Sequence, residues 1–347
     1  MGVLRNAETS SGLRRLGWRD RAMRRSLVAV VSGALTVVIL TFGMLAAASD
    51  HDPAAPDRDA AARASPLREP ITPIGPAPDA DPAKLALGER LFADPRLSGN
   101  GRRSCMSCHD LSTNGATGNR LDTALDGTTT LPLNTGTVFN AALAFRLNWE
   151  GAYRTFESQV EASFVNPLVM GTTMDAVVAR LDADPDMVGR FRAAYGRGPD
   201  AASLLDALAT FLRSLVTPGS RFDRWLAGES GVLTAREVEG YRLFKQLGCI
   251  ACHQGAAVGA NMFQRHGIFR PLASPEPAVV RVPSLRNVVA TAPYFHDGSA
   301  PTLADAVRRM GVAQLDHRLD DGQVSAIVDF LGTLTGEYRN RRVEPPP

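Results

Sequence analysis

Lysine is almost missing from this chain: among 38 Lys and Arg residues only Lys84 and Lys245 are lysine. The net charge is only +2, and it is unevenly spread. The first 26 residues hold Arg5, Arg14, Arg15, Arg19, Arg21, Arg24 and Arg25 against Glu8 and Asp20, so the remainder of the chain is mildly acidic. That balance excludes an extended basic field, and nucleic acid is not an expected partner. Cysteine is equally scarce, with four residues, all of them inside two short motifs. No thiol is left over for a disulfide. Of the six histidines none lies between His109 and His253. Long apolar runs are missing too, apart from Leu27 to Ala48.

The two cysteine motifs are Cys105-Met-Ser-Cys108-His109 and Cys249-Ile-Ala-Cys252-His253. A Cys-x-x-Cys pair alone serves a redox dithiol or half of a four-cysteine zinc site. Here each pair carries a following histidine, which neither of those chemistries needs. The full pattern is that of c-type haem attachment, in which two thioethers hold the porphyrin and the histidine is the proximal iron ligand. Two covalently bound haem c groups are therefore expected, on Cys105, Cys108 and His109 and on Cys249, Cys252 and His253.

Leu27 to Ala48 is long enough to cross a bilayer, and arginines crowd only its N-terminal flank. This predicts a basic cytoplasmic tail over 1–26, a membrane span over 27–48 and export of everything beyond it. Ala46-Ala47-Ala48 also fits a signal-cleavage site, so a cleaved signal and a soluble periplasmic protein are the alternative. Residues 49–80, rich in Ala, Pro and Asp, read as a tether.

The rest repeats. Gly88-Glu-Arg-Leu-Phe92 precedes the first motif as Gly240-Tyr-Arg-Leu-Phe244 precedes the second, each on a short helix. Asn140-Ala-Ala matches Asn287-Val-Val, and Trp149-Glu-Gly matches His296-Asp-Gly at an offset of 147. Each half closes with a helix, over Leu204–Leu215 and Val324–Leu334. The fold class is thus mainly α, with two cytochrome c-like haem domains over 81–232 and 233–345. Thr302, with Asp305, opens a further helix in a capping-box pattern that puts Leu303, Val307 and Met310 on one face. Met310 is the expected sixth ligand of the second haem, with Met262 and His266 as rivals. At the same offset its first-half counterpart is Ser163, which is a poor iron ligand. The first haem is expected to be open, with Gln159, on a helix from about Thr155, donating a hydrogen bond above it.

At this level the chain resembles the bacterial di-haem cytochrome c peroxidases and the MauG-type enzymes, from about Leu85 to Tyr338. The likeness rests on LSGNGRRSCMSCH (Leu97 to His109), LNTGTVFNAAL (Leu133 to Leu143), the Trp149 segment and VPSLRNVVATAPYFHDGS (Val282 to Ser299). The resemblance implies that the first haem takes hydrogen peroxide, that the second receives electrons, and that Trp149 lies on the path between them. It also implies a calcium ion held by the Asn134 side chain and the Thr291 and Pro293 carbonyls, ligands that suit a hard cation. His296 supports the haem region in such proteins.

Two departures change what is expected. Where most members carry a histidine that caps the first iron until the second haem is reduced, this chain has Leu125. Where they carry a glutamate as acid/base, the sequence reads Asn166-Pro167-Leu168-Val169-Met170. A positioned acid/base contributes ~10²–10⁴-fold. Gln159 orients but is no base, and Glu157 and Glu161 face elsewhere on their helix. The expected activity is peroxide reduction with a constitutively open first haem, slowed by Val169. The donor is a small c-type cytochrome or cupredoxin, the location is the periplasmic side of the inner membrane, and a homodimer is a candidate assembly. A MauG-like oxidase acting on a protein partner, and a non-catalytic electron carrier or sensor, are the alternatives. His51 and His317 read as solvated.

Overall fold

The computed structural model describes residues 69–347, which are mainly helical. The basic tail, the run Leu27–Ala48, His51 and the tether up to residue 68 lie outside the described residues. Among the described residues no helix is long and apolar enough to cross a membrane.

In chain order the helices are α1 (Pro82–Phe92), α2 (Phe156–Val165), α3 (Met174–Asp182), α4 (Pro185–Tyr195), α5 (Ala201–Ser214), α6 (Arg221–Leu226), α7 (Ala235–Gln246), α8 (Leu303–Leu315) and α9 (Asp321–Gly332). Each is opened by a side-chain oxygen that accepts a first-turn N–H: Asp81, Thr155, Thr173, Asp184, Asp200, Ser220, Thr234, Thr302 and Asp320. These caps explain why α5 and α9 begin ahead of the apolar periodicity, at Ala201 and Asp321. Thr302 caps α8 as expected, but Asp305 pairs with Arg309 at 2.7 Å and does not return to the cap.

The repeat is carried by two close helix crossings, α1 on α5 and α7 on α9. A Cβ on Gly88 would collide with Ala207 O and come within 2.7 Å of Phe211 Cβ; one on Gly240 would collide with Ala326 O and come within 2.9 Å of Phe330 Cβ. Only glycine allows these approaches. Each crossing nucleates its own core. Leu87, Leu91, Phe92, Leu208 and Phe211 belong to the first, and Phe222, Tyr241, Phe244, Ile327 and Phe330 to the second. Burying such side chains stabilises by about 1.5–3 kcal/mol each.

The chain ends exchange cores. Residues 69–74 were expected to be tether, yet Ile71 is fully buried in the second core, Pro70 O accepts from Gly255 N, and Thr72 O accepts from the buried Arg286. Ile71 is apolar and the Ala/Pro-rich composition around it hides that. At the other end, Val343 enters the first core and Tyr338 packs on Phe139 at 5.0 Å. Two short antiparallel pairs complete the fold: β1 (Phe263–Arg265) with β2 (Val279–Arg281), and β3 (Glu337–Tyr338) with β4 (Arg341–Arg342).

Between the cores the repeat meets itself. Asn140 and Asn287, both left-handed at φ 61°, donate from Nδ2 to the same Thr217 Oγ1, at 2.7 and 3.0 Å. Their Oδ1 atoms accept from Thr217 N and Gly336 N, each at 2.9 Å.

Candidate functional site

Cys105–Ser107 and Cys249–Ala251 each form a single 3-10 turn. In both, the histidine N–H donates to the first cysteine's carbonyl at 3.0 Å. One rigid element therefore fixes two cysteines and an imidazole together. Each ring is oriented through Nδ1, with His109 Nδ1 3.1 Å from Gly115 O and His253 Nδ1 3.3 Å from Val258 O. A carbonyl can only accept, so Nδ1 carries the proton and Nε2 keeps a lone pair. That is the tautomer an iron ligand needs.

Against the core on which each turn's first cysteine packs, further apolar side chains are left half-covered. Leu111, Val138, Tyr153 and Val169 flank the first core, and Ile250, Leu285, Leu303 and Val307 the second. Walls of this kind next to a Cys-x-x-Cys-His turn fit a porphyrin. The competing chemistries do not fit. Burial pushes the Cys105 thiol up to about 12 and the Cys249 thiol to about 11, the opposite of what a reactive dithiol requires. Among the described residues no three His, Cys, Asp or Glu side chains gather as a metal cluster, so the two pairs do not form one zinc site.

The electrostatics of the two histidines differ. Burial lowers the His253 pKa to about 4, opposed only by the bond to Val258 O. Burial also lowers that of His109, but there Gly115 O and the charge of Asp122 both act in the opposite direction.

On the second side, Met310 is half-buried on α8, on the face of Leu303 and Val307, which pack against the second core. On the first side, Thr155 caps α2 as Thr302 caps α8, and Ser163 falls where Met310 falls. Gln159 Nε2 donates to Ser163 Oγ at 3.0 Å, and Ser163 Oγ donates to Gln159 O at 3.0 Å. Glu157 is taken by Arg213 at 2.5 Å, and Glu161 is exposed. Val169 packs against the first core. Leu125 is pinned to the same segment, its N–H donating to Leu168 O at 2.8 Å.

Trp149 Nε1 donates to Asn134 O at 2.8 Å, and its ring meets His296 edge-on at 6.2 Å. His296 Nε2 donates to Ser274 O at 3.1 Å, and the ring of His266 lies 4.5 Å away with its own Nε2 on Pro277 O at 2.8 Å. Met262 is half-buried and His317 is exposed. Asn134 Nδ2 donates to Asn119 O and Arg120 O, and Arg120 lines one open surface cavity with Pro293. Thr291 Oγ1 donates to Val288 O. Two residues that sequence reasoning passed over are Thr217 and Asp122. The only signal for Asp122 was the run of Thr and Asn donors around it.

Comparison with known proteins agrees with this geometry. The model of the di-haem cytochrome c peroxidase family matches residues 82–231, and that of cytochrome c matches 237–335. The chain is 38% identical over 284 residues to the cytochrome c551 peroxidase of Nitrosomonas europaea, covering 78% of this chain and 85% of that protein. It is 33% identical over 332 residues to the cytochrome c551 peroxidase of Pseudomonas aeruginosa, covering 89% and 93%. Among solved structures, a MauG-like protein associated with microbial copper homeostasis superposes with a TM-score of 0.67 at 28% identity, covering 76% of this chain and 94% of that one.

Proposed function

Because the chain belongs to the di-haem cytochrome c peroxidase family, we propose that it reduces hydrogen peroxide to water with electrons from a small c-type cytochrome or cupredoxin, its first haem needing no reductive opening. Two of the relatives are cytochrome c551 peroxidases, and the matched family is di-haem. The open first site is specific to this reading, and one observation carries it: Ser163 stands where the repeat has Met310, and Leu125 is tied into the loop instead of carrying a ligand.

When bound, the two haems supply the iron that takes peroxide and the stored electrons. The chain's own part is to bind and orient. His109 and His253 present Nε2 because Gly115 O and Val258 O hold Nδ1. Met310 would complete the second site, where a thioether would raise the potential. Gln159 orients peroxide through its amide, held in place by Ser163. Trp149 keeps its indole proton on Asn134 O, which is no base, and carries the electron between the halves. With Val169 apolar, proton movement between the peroxide oxygens falls to water, and turnover is slow.

We further assign calcium to the Asn134 Oδ1 and the Thr291 and Pro293 carbonyls, and the haem domains to 81–232 and 233–345. The periplasmic side of the inner membrane, an anchor at 27–48 and a homodimer complete the reading. Val169 also favours a second reading, a non-catalytic electron carrier or sensor. Electron paramagnetic resonance of the oxidised protein as isolated tests the open site: one high-spin and one low-spin haem are expected, and two low-spin haems would overturn it.

A further inference from the structure

Asp122 is 5% exposed and forms no ion pair with any Lys or Arg among the described residues. Neutral donors meet both of its oxygens. Thr117 Oγ1 donates to Oδ1 and Oδ2 at 2.9 and 3.0 Å, Asn119 Nδ2 to Oδ1 at 2.9 Å, and Thr135 Oγ1 to Oδ2. All of these donors are neutral, so no cation offsets the carboxyl group. The cost of burying a charge without a cation makes such a group rare.

Its position is informative. Thr117 lies two residues beyond Gly115, whose carbonyl holds His109 Nδ1 and also accepts from Val138 N at 3.0 Å. Thr135 lies on the segment that runs to Val138 and, through Asn134 O, holds the Trp149 indole. Asp122 thus ties the loop that orients the proximal histidine to the segment that orients the tryptophan. Of the other buried Asp side chains, Asp94 and Asp223 are ion-paired, with Arg96 at 2.6 Å and Arg286 at 2.8 Å, and Asp297 accepts from Ser274 N and Ser299 N.

We propose that Asp122 is a positioning residue whose fixed negative charge, beside the proximal loop of the first haem site, holds that haem's reduction potential below the value it would otherwise have and leaves the second haem untouched. A nearby unpaired charge in a low-dielectric surrounding stabilises the more positive, oxidised iron. The device keeps the first site ferric and ready for peroxide while the second is reduced. It rests on the reading of both motifs as haem sites, and that reading has its own check: pyridine haemochrome analysis must give two haems per chain.

The test is an optical redox titration of the loaded holoprotein and two variants. Asp122→Asn removes the charge. Asn119→Lys keeps Asp122 but sets an ammonium beside it from an exposed position, so it disturbs the buried network least. Both are expected to raise the ferrous/ferric ratio of the first haem about tenfold at fixed potential, an upward shift of ~59 mV for one electron. The second haem should not move. An unchanged first-haem midpoint in Asn119→Lys, or equal shifts of both haems in either variant, would overturn the proposal. If Asp122→Asn does not load, the lysine variant decides alone.

Discussion

Gln159 donates from Nε2 to Ser163 Oγ, and Ser163 returns a hydrogen bond to Gln159 O, so the residue at the repeat position of Met310 holds the amide one turn before it. Methionine at this helical position, on α8, is the expected ligand of the second haem. On the proposed reading, exchanging one side chain would separate a site that stores electrons from one that admits a small molecule.

Ser163→Met should therefore convert the first haem to a six-coordinate low-spin form and reduce peroxide turnover by at least about tenfold, since a bound thioether must leave before peroxide enters. Loss of the high-spin signal together with turnover is the expected outcome. A retained high-spin signal would mean that α2 does not face the iron as α8 does.

Val169→Glu should raise turnover. A positioned acid/base is worth ~10²–10⁴-fold, and the half-buried position beside the first core admits a carboxyl with its stem packed. Steady-state rates with peroxide saturating check this; no increase would mean that proton transfer does not limit the enzyme.

Met310→Leu should abolish the low-spin His/Met absorption of the second haem and leave the first unchanged. An unaltered spectrum would move the ligand assignment to Met262 or His266.

Thr217→Val leaves the buried Nδ2 groups of Asn140 and Asn287 without their shared acceptor. Each lost partner costs about 1–3 kcal/mol, so stability should fall by about 2–6 kcal/mol. Because the hydroxyl joins both halves, its loss should also weaken their coupling, and denaturant unfolding should broaden or split. An unchanged single transition would show that the halves are held together by other contacts.

The attachment motifs, the repeat and the helix caps were legible because they are local: Thr155 and Thr302 announce α2 and α8, and the glycines of the two crossings sit at matching places. Long-range partners were not. Thr217 meets asparagines 77 and 70 residues away, and nothing near it in sequence marks it. Asp122 reads as an ordinary loop acid until Thr135 is folded over it. Ile71 was hidden in a stretch whose composition suggests open chain, and the β1–β2 hairpin, short and partly exposed, has too little alternation to be seen.

The central claim is that the first haem is open without prior reduction. Stopped-flow mixing of hydrogen peroxide and a pre-reduced small cytochrome c with the fully oxidised protein, with calcium present, tests it most directly. The account predicts cytochrome oxidation from the first turnover, with no lag and no gain from pre-reducing the enzyme. A lag abolished by pre-reduction would contradict it, because some residue other than Leu125 would then have to close the first site.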